Sequence, residues 1–279
     1  QTCALPIWKW TPGRALVADR YGHGRAVMAG DSVHLFTPTG GFGMNTGMDD
    51  AANLGWKLAA LAQGWGGPQL LASYETERRP IGLRNTGMAK LFSIHVGSLQ
   101  LPPEVEEDSP RGAAARAEAE PHILGFAEEF VSIGIQLGAR YDGSPIVVGD
   151  GTTPPPDDPF VYTPSACPGG RAPHLWMPDR SSLFDRFGAG FTLLLLPGAD
   201  AGAGEQLKAA AMARGMPLKL VTVNLPEATA LYEKKLALIR PDQHVAWRGD
   251  TLPDDPDALL GRVTGHCDEQ LPSSPPHSF

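Results

Sequence analysis

Lysine and arginine never gather into a run in this sequence, and the 279-residue chain carries a formal net charge of −8. A duplex-binding surface needs concentrated positive charge, so nucleic acid is not an expected partner. Long apolar runs are missing as well. The longest, Phe191 to Leu196, has the length of a strand and falls far short of the ~20 residues that span a bilayer, so no membrane segment is expected. The N-terminus has no basic stretch leading into an apolar one, the pattern of a secretory signal. Cysteine is scarce: Cys3, Cys167 and Cys267 are far apart and form no CxxC or Cys/His spacing. That excludes a disulfide scaffold and a metal site, and a reduced, cytoplasmic setting with inert thiols is expected. GxxxxGK[ST] is absent. Gly41-Phe-Gly-Met-Asn-Thr-Gly47 misses GxGxxG by one position and lacks a strand immediately before it, so both phosphate-loop readings are weak.

What is present is ordinary globular composition, 42% hydrophobic and 19% charged, at a length suited to one large domain or two of usual size. Residues 1–7, QTCALPI, have neither helical nor strand period. Ala4-Leu5-Pro6-Ile7 is also what a common sequencing-adapter end encodes in frame. These residues are expected to be a non-native scar, with the natural protein extending further N-terminally.

Short extended segments are expected at Ala15–Tyr21 and Arg25–Ala29, the second ending at Gly30-Asp31. A glycine-rich loop follows from Pro38 to Gly47. From Met48 the period becomes 3.6, with Ala51, Leu54, Gly55, Leu58 and Leu61 on one apolar face and Asp49 and Asp50 in the first turn. Gly64–Pro68 ends this helix. Another starts near Leu70, with a bend expected at Pro80. Residues 102–120 read as an acidic loop leading to a helix around Ile123–Leu137. Tyr141–Pro164, with GDGTTPPPDDP, reads as a connector. Beyond it come a strand at 191–196, a helix at 205–214, strands at 218–224, 236–239 and 243–247, and a helix at 255–264. Arg240-Pro241-Asp242 is a turn between the last two strands. The polar end, 271–279, is expected to be disordered.

The loop is the most informative stretch. Gly40, Gly41, Gly43 and Gly47 let backbone approach a flat ligand without Cβ clashes. Its amides, with the helix N-terminus behind them, present positive potential. Asp31, at the entrance, is a pure acceptor suited to a ligand hydroxyl. The bland alternative is a glycine-rich turn with Asp31 capping a local amide.

The run GRAVMAGDSVHLFTPTGGFGMNTGMDDAANLGWKLA, Gly24 to Ala59, resembles the second FAD-binding motif of the class A flavin-dependent aromatic hydroxylases, relatives of phenol and 3-hydroxyphenylpropionate hydroxylases. Thr37 stands in place of a frequent proline, and Ser32-Val33 in place of Ala-Ala. SYETERRP (73–80) is similar to that family's YExERRP helix. GSPIVV (143–148), GGRAPHLWM (169–177) and LALIRPDQHVAWRG (236–249) resemble the C-terminal thioredoxin-like domain of many members. The resemblance runs from about Arg14 to Gly265. It implies an α/β fold: the C-terminal part of a two-domain FAD-binding monooxygenase, followed by a thioredoxin-like α/β domain without CxxC. The corresponding ranges are 8–145 for a partial FAD-binding and substrate domain and 146–270 for the thioredoxin-like domain.

The same resemblance implies that Asp31 binds the ribityl chain of FAD. Pro38, Gly41, Gly43, Met44, Asn45 and Thr46 would line the isoalloxazine. NAD(P)H would be co-substrate and O₂ the oxidant, forming a hydroperoxide on the flavin that attacks a small aromatic, phenolic substrate. The family's GxGxxG motif and its middle DG motif are not in this sequence, so the chain is expected to be a fragment of a protein of roughly twice its length, binding FAD poorly alone. No catalytic residue can be assigned. His34 reads as structural, because no nucleophile and geometry for a triad accompany it. Asp49, Asp50 and Glu75 read as capping residues or as partners of Arg78 or Arg79. Trp56 reads as packing. Where a thioredoxin would carry its thiols, the sequence is PGADAG (197–202), without redox chemistry. Two other readings remain open: a different flavin oxidoreductase on the same fold, such as a halogenase or dehydrogenase, or a non-catalytic module that forms a homodimer through residues 160–270.

Overall fold

The computed structural model of the chain describes residues 14–266. The expected scar, the C-terminal tail, Cys3 and Cys267 lie outside them. The described residues fall into two compact units, one comprising residues up to Asp49 with Gly82–Ser132, the other Asp50–Ile81 with Ile133 onward.

The first unit begins with two small antiparallel ladders. Strand β1 (Leu16–Val17) pairs with β4 (His34–Leu35), and β2 (Gly22–His23) pairs with β3 (Ala26–Val27) across a turn. A 3₁₀ turn at Gly30–Ser32 and another at Thr39–Gly41 lead into helix α1 (Phe42–Ala62). Helix α2 (Pro68–Ser98) runs through Pro80 as one helical element. Helix α3 (Pro110–Gly125) occupies much of the expected acidic loop. Its start follows from local chemistry: Pro110 sits at N1, and Ser109 Oγ accepts from the Gly112 amide, a cap that the run of alanines behind it propagates. Helix α4, a short segment at Ile133–Leu137, already belongs to the second unit.

Helix α1 starts at Phe42, six residues before the expected Met48. Asp49 and Asp50 are therefore mid-helix, not in its first turn. The buried face also differs from the expected one. Phe42, Thr46, Asp50, Asn53, Trp56, Lys57 and Ala60 are buried, whereas Leu58 is 45% exposed. Spacings of three and four put these residues on one side of the helix. The polar members are buried because each has a partner far away in sequence.

The second unit contains the main sheet, ordered β6-β5-β7-β8. Strand β5 (Phe191–Leu195) pairs parallel with β6 (Leu218–Thr222) and antiparallel with β7 (Leu236–Ile239), which pairs antiparallel with β8 (Val245–Gly249). Helix α5 (Ala201–Ala213) is the crossover between the parallel strands, capped by Asp200 on the Gly202 amide. Helix α6 (Pro226–Tyr232), not foreseen in the sequence, precedes β7, and α7 (Pro256–Val263) closes the unit. One face of the sheet packs Phe191, Leu193, Leu195, Leu236 and Leu238 against Trp56, Trp65, Leu207 and Leu260. The other packs Leu194, Leu196, Ala237 and Ile239 against Val223, Ala228 and Tyr232. Between Gly138 and Ser182 there is no helix or strand, only isolated bridges, as the prolines dictate.

Candidate FAD site

Two glycines set the geometry at the entrance of the loop. Gly30 has φ +61°, a conformation that a side chain disfavours. A Cβ added to Gly47 would come within 3.2 Å of the Gly30 Cα. The corner before Asp31 thus lies directly against the second turn of α1, so closely that a side chain at position 47 would displace it by a few tenths of an ångström. The corner is closed locally by Ser32, whose Oγ accepts from the Ala29 amide (3.1 Å) and donates to the Ala29 carbonyl (2.7 Å). Asp31 is exposed and makes no hydrogen bond among the described residues.

The ribbon from Pro38 to Thr46 is held from behind. Thr39 Oγ1 donates to the Ala89 carbonyl (2.6 Å), and the Gly40 amide donates to Glu129 Oε1 (2.6 Å). Asn45 Nδ2 donates to the Gly41 carbonyl (2.8 Å) at the start of the helix. Gly40 and Gly41 both have positive φ, and a Cβ added to Gly41 would meet nothing within 4 Å. Pro38, Gly41 and Asn45 are exposed, Gly43 is half-buried, and Met44 is 74% and Met48 62% exposed. Thr46 is different. It is buried, and its Oγ1 accepts from Asn85 Nδ2 (3.0 Å), which turns the hydroxyl away from solvent. Asp31, Pro38, Gly41, Met44 and Asn45 are thus each solvent-facing, and the Gly30–Gly47 contact sets Asp31 beside the second turn of α1.

A buried ionic cluster in the second unit escaped sequence reading. Glu77 accepts from Arg240 Nη1 (2.6 Å) and Nη2 (2.9 Å), Lys57 Nζ (2.6 Å), Asn53 Nδ2 (2.7 Å) and Ser144 Oγ (2.6 Å). Asp242 accepts from Arg240 Nη2 (2.6 Å) and from Trp56 Nε1 (3.1 Å). Asp50 pairs with Arg78 at 2.8 Å, both buried, one of the pairings expected from the sequence. Burial alone would push the Glu77 carboxyl up, but Arg240 and Lys57 hold it at about 2. Burial pulls Lys57 down to about 8, against the pull of Glu77. Asp242 is held below the ordinary carboxylate range because Arg240 outweighs its burial. The Glu77, Lys57 and Arg240 side chains are fully buried and that of Asp242 is nearly so, and the hydrogen bonds named satisfy one member with another. The cluster is a structural lock joining Glu77 of SYETERRP to Arg240 and Asp242 of LALIRPDQHVAWRG. The available sequence signal was that charged residues recur in helical register with an apolar neighbourhood. Trp56 packs, as expected, against Trp65 and Phe191, and also donates to Asp242.

Among the described residues no helix is long and apolar enough to cross a membrane, and no group of three or more His, Cys, Asp or Glu could hold a metal ion.

Comparison with known families places these features. Residues 7–89 match an FAD binding domain and residues 165–267 match an aromatic-ring hydroxylase C-terminal domain. The chain belongs to the FAD-dependent aromatic-ring hydroxylases. It is 36% identical over 281 residues to the FAD-dependent monooxygenase apdD of Emericella nidulans, covering 94% of this chain and 44% of that protein. It is 31% identical to phenol 2-monooxygenase of a Pseudomonas strain, covering 90% of this chain and 46% of that one. The structure of the rebeccamycin biosynthetic enzyme RebC with reduced flavin superposes with a TM-score of 0.81 at 43% identity, covering 91% of this chain and 47% of that chain. The chain thus spans about half the length of the relatives it matches.

The residues present fit the flavin of that family. Asp31 offers an unoccupied carboxylate beside the Gly30–Gly47 contact, and Gly41 leaves its side of the ribbon open to a flat ring. Neither space is filled by packed side chains of the described residues.

Proposed function

We propose that this chain is part of an FAD-dependent monooxygenase that hydroxylates an electron-rich, phenolic ring. The observation that carries the reading is the free Asp31 carboxylate held at the Gly30–Gly47 contact beside the open glycine ribbon. When bound, FAD reduced by a nicotinamide nucleotide would activate O₂ for transfer of one oxygen atom to the ring. This chain's own residues have simpler tasks. Asp31 accepts from ribityl hydroxyls. Backbone at Gly41 and in the first turn of α1, from Gly43 through Met44 and Asn45 to Thr46, would lie along the ring, and the helix N-terminus would stabilise negative charge at that edge. Pro38 and Met44 are apolar surface that keeps water from the same edge. Phenol 2-monooxygenase among the relatives supports the phenolic substrate class. The four-stranded sheet with its βαβ unit supports reading residues 146–270 as thioredoxin-like.

The test is FAD titration, followed by flavin fluorescence, of the chain and its Asp31→Ala variant, with NAD(P)H oxidation and product analysis on phenols in the longer polypeptide. Weak binding by the chain, weakened at least tenfold more by Asp31→Ala, is expected. Equal affinity of the two would remove Asp31 from the site, and a halogenated or desaturated product would reassign the reaction.

A further inference from the structure

The ribbon from Pro38 to Thr46 has one restraint that its own sequence does not supply. Gly40 has φ +76°, and a Cβ there would strike the ring of Phe42, so the position disfavours any other residue. The freedom that suits glycine to this place also lets the Thr39–Gly40 peptide turn over at little steric cost. The 3₁₀ turn at Thr39–Gly41 has Pro38 at its N-cap, which lends no side chain to the orphan amides. The Gly40 amide is bonded instead to Glu129 Oε1 at 2.6 Å, a residue 89 positions later. A peptide is planar and trans, so the bond that points this N–H at Glu129 also points the Thr39 carbonyl away from it.

Glu129 is half-buried, and among the described residues no cation is paired with it. An anionic acceptor on a backbone N–H is the strong form of such a bond. The turn that carries Glu129 is itself fixed. It is the 3₁₀ turn Phe126–Glu129, and the Phe126 ring lies 5.0 Å from the ring of His95 on α2 and 5.3 Å from that of His122 on α3. His122 Nε2 in turn lies 3.1 Å from the His95 carbonyl. Two helices thus aim one carboxylate at the ribbon.

We propose that Glu129 is a positioning residue of the FAD site, acting through the Gly40 amide. The inference rests on the FAD reading of that site. The bond selects one orientation of the Thr39–Gly40 peptide and presets the ribbon that the flavin meets, which lowers the ordering cost of binding. The charge stands at the N-terminal end of α1, the end whose positive potential favours a negatively charged, reduced flavin. The carboxylate therefore opposes reduction while its bond favours binding. Glutamine at this position keeps the acceptor and drops the charge, and so separates the two effects.

The experiment compares the 279-residue chain with Glu129→Ala, Glu129→Gln and Glu128→Ala. Amide exchange is read without FAD, and anaerobic calorimetric titration gives the affinity for oxidised and for dithionite-reduced FAD. Glu129→Ala is expected to speed exchange at Gly40 at least tenfold and to weaken oxidised FAD at least fivefold. Glu129→Gln is expected to bring both back to within about threefold of the unaltered chain. It is also expected to raise the ratio of reduced to oxidised affinity at least threefold, a change that a merely structural residue would not produce. Glu128→Ala, at an exposed neighbour, is expected to change nothing. Native exchange and affinity in Glu129→Ala overturn the proposal. So does an unmoved ratio in Glu129→Gln, or a Glu128→Ala chain that reproduces either effect, because surface charge then suffices. Absence of FAD binding by the unaltered chain removes the FAD reading and the role of Glu129 with it. That outcome is told apart by the exchange difference, which needs no cofactor. Should Glu129→Ala not fold, the exchange and the affinity ratio of Glu129→Gln decide alone.

Discussion

Arg240 donates through both terminal nitrogens to Glu77, a residue 163 positions earlier, at 2.6 and 2.9 Å, with neither side chain reached by solvent. Two stretches that the family resemblance singled out separately, SYETERRP and LALIRPDQHVAWRG, are therefore one interaction. The fork-to-carboxylate geometry is the strong form of such a pair. Its removal leaves a charge buried without its partner, which costs far more than the pair itself contributes.

Glu77→Ala is accordingly expected to destabilise the second unit by about 3–5 kcal/mol, because Lys57 loses its acceptor and Arg240 is left with Asp242 alone. Arg240→Met is expected to cost a similar amount, since Lys57 alone then faces two buried carboxylates, Glu77 and Asp242. Urea unfolding of both single variants and the double variant checks this. Additive losses would show that the two residues do not act as a unit.

Acid should unfold the chain through the same group. The Glu77 carboxyl, held at about 2 when folded, has an ordinary value of 4.5. Its stabilisation is complete above pH 4.5 and is lost as pH falls from there towards 2, because the unfolded chain takes up the proton first. Lys57 acts at the other end of the scale. Its folded value of about 8 lies below the ordinary 10.5, so the unfolded chain holds the proton longer and stability rises with pH between those values. Unfolding free energy measured against pH should show both slopes, and Lys57→Met should abolish the alkaline one.

At the candidate site, Gly47→Ala is expected to push the Asp31 corner away from α1, since the new Cβ would lie 3.2 Å from Gly30. FAD affinity should fall tenfold or more while the melting of the second unit is unchanged. Gly55→Ala, on the same helix with open space around it, is the control and should leave affinity unaltered.

Glu129→Ala frees the Gly40 amide and detaches one of the two tethers behind the ribbon. A lost hydrogen bond to a charged group is worth about 1.5–3 kcal/mol, so the amides of Gly40 and Gly41 should exchange at least tenfold faster. Unchanged exchange would mean that Thr39 alone holds the ribbon.

The glycine ribbon, Asp31 and most of the second unit were legible in the sequence, and for physical reasons. Glycines that tolerate positive φ, strands with apolar runs, and a turn at Arg240-Pro241-Asp242 are all local signals. The face of α1 was not. Its leucines suggested the buried side, and the structure buries Asp50, Asn53 and Lys57 instead, because Glu77, Arg78 and Asp242 supply compensation that no periodicity reveals. Helix α3 was hidden for a different reason. Its prolines and acids suggested a loop, although Pro110 at N1 and the Ser109 cap favour a helix start. The role of Thr46 shows the same limit at the site: position in the motif placed it on the ribbon, while Asn85 draws its hydroxyl inward.

The end of α7 is bonded to the beginning of α2. The Gly67 amide donates to Thr264, the Gln69 amide to Gly265, and the two glycines approach so closely that a methyl group on either would strike backbone. Matches at residues 7–89 and 165–267 look like separable modules along the chain. Folded, the earlier one lends a stretch of itself to the later. Proteolysis in the proline-rich stretch between them should give a nicked but still associated molecule, and neither piece expressed alone should regain its shape.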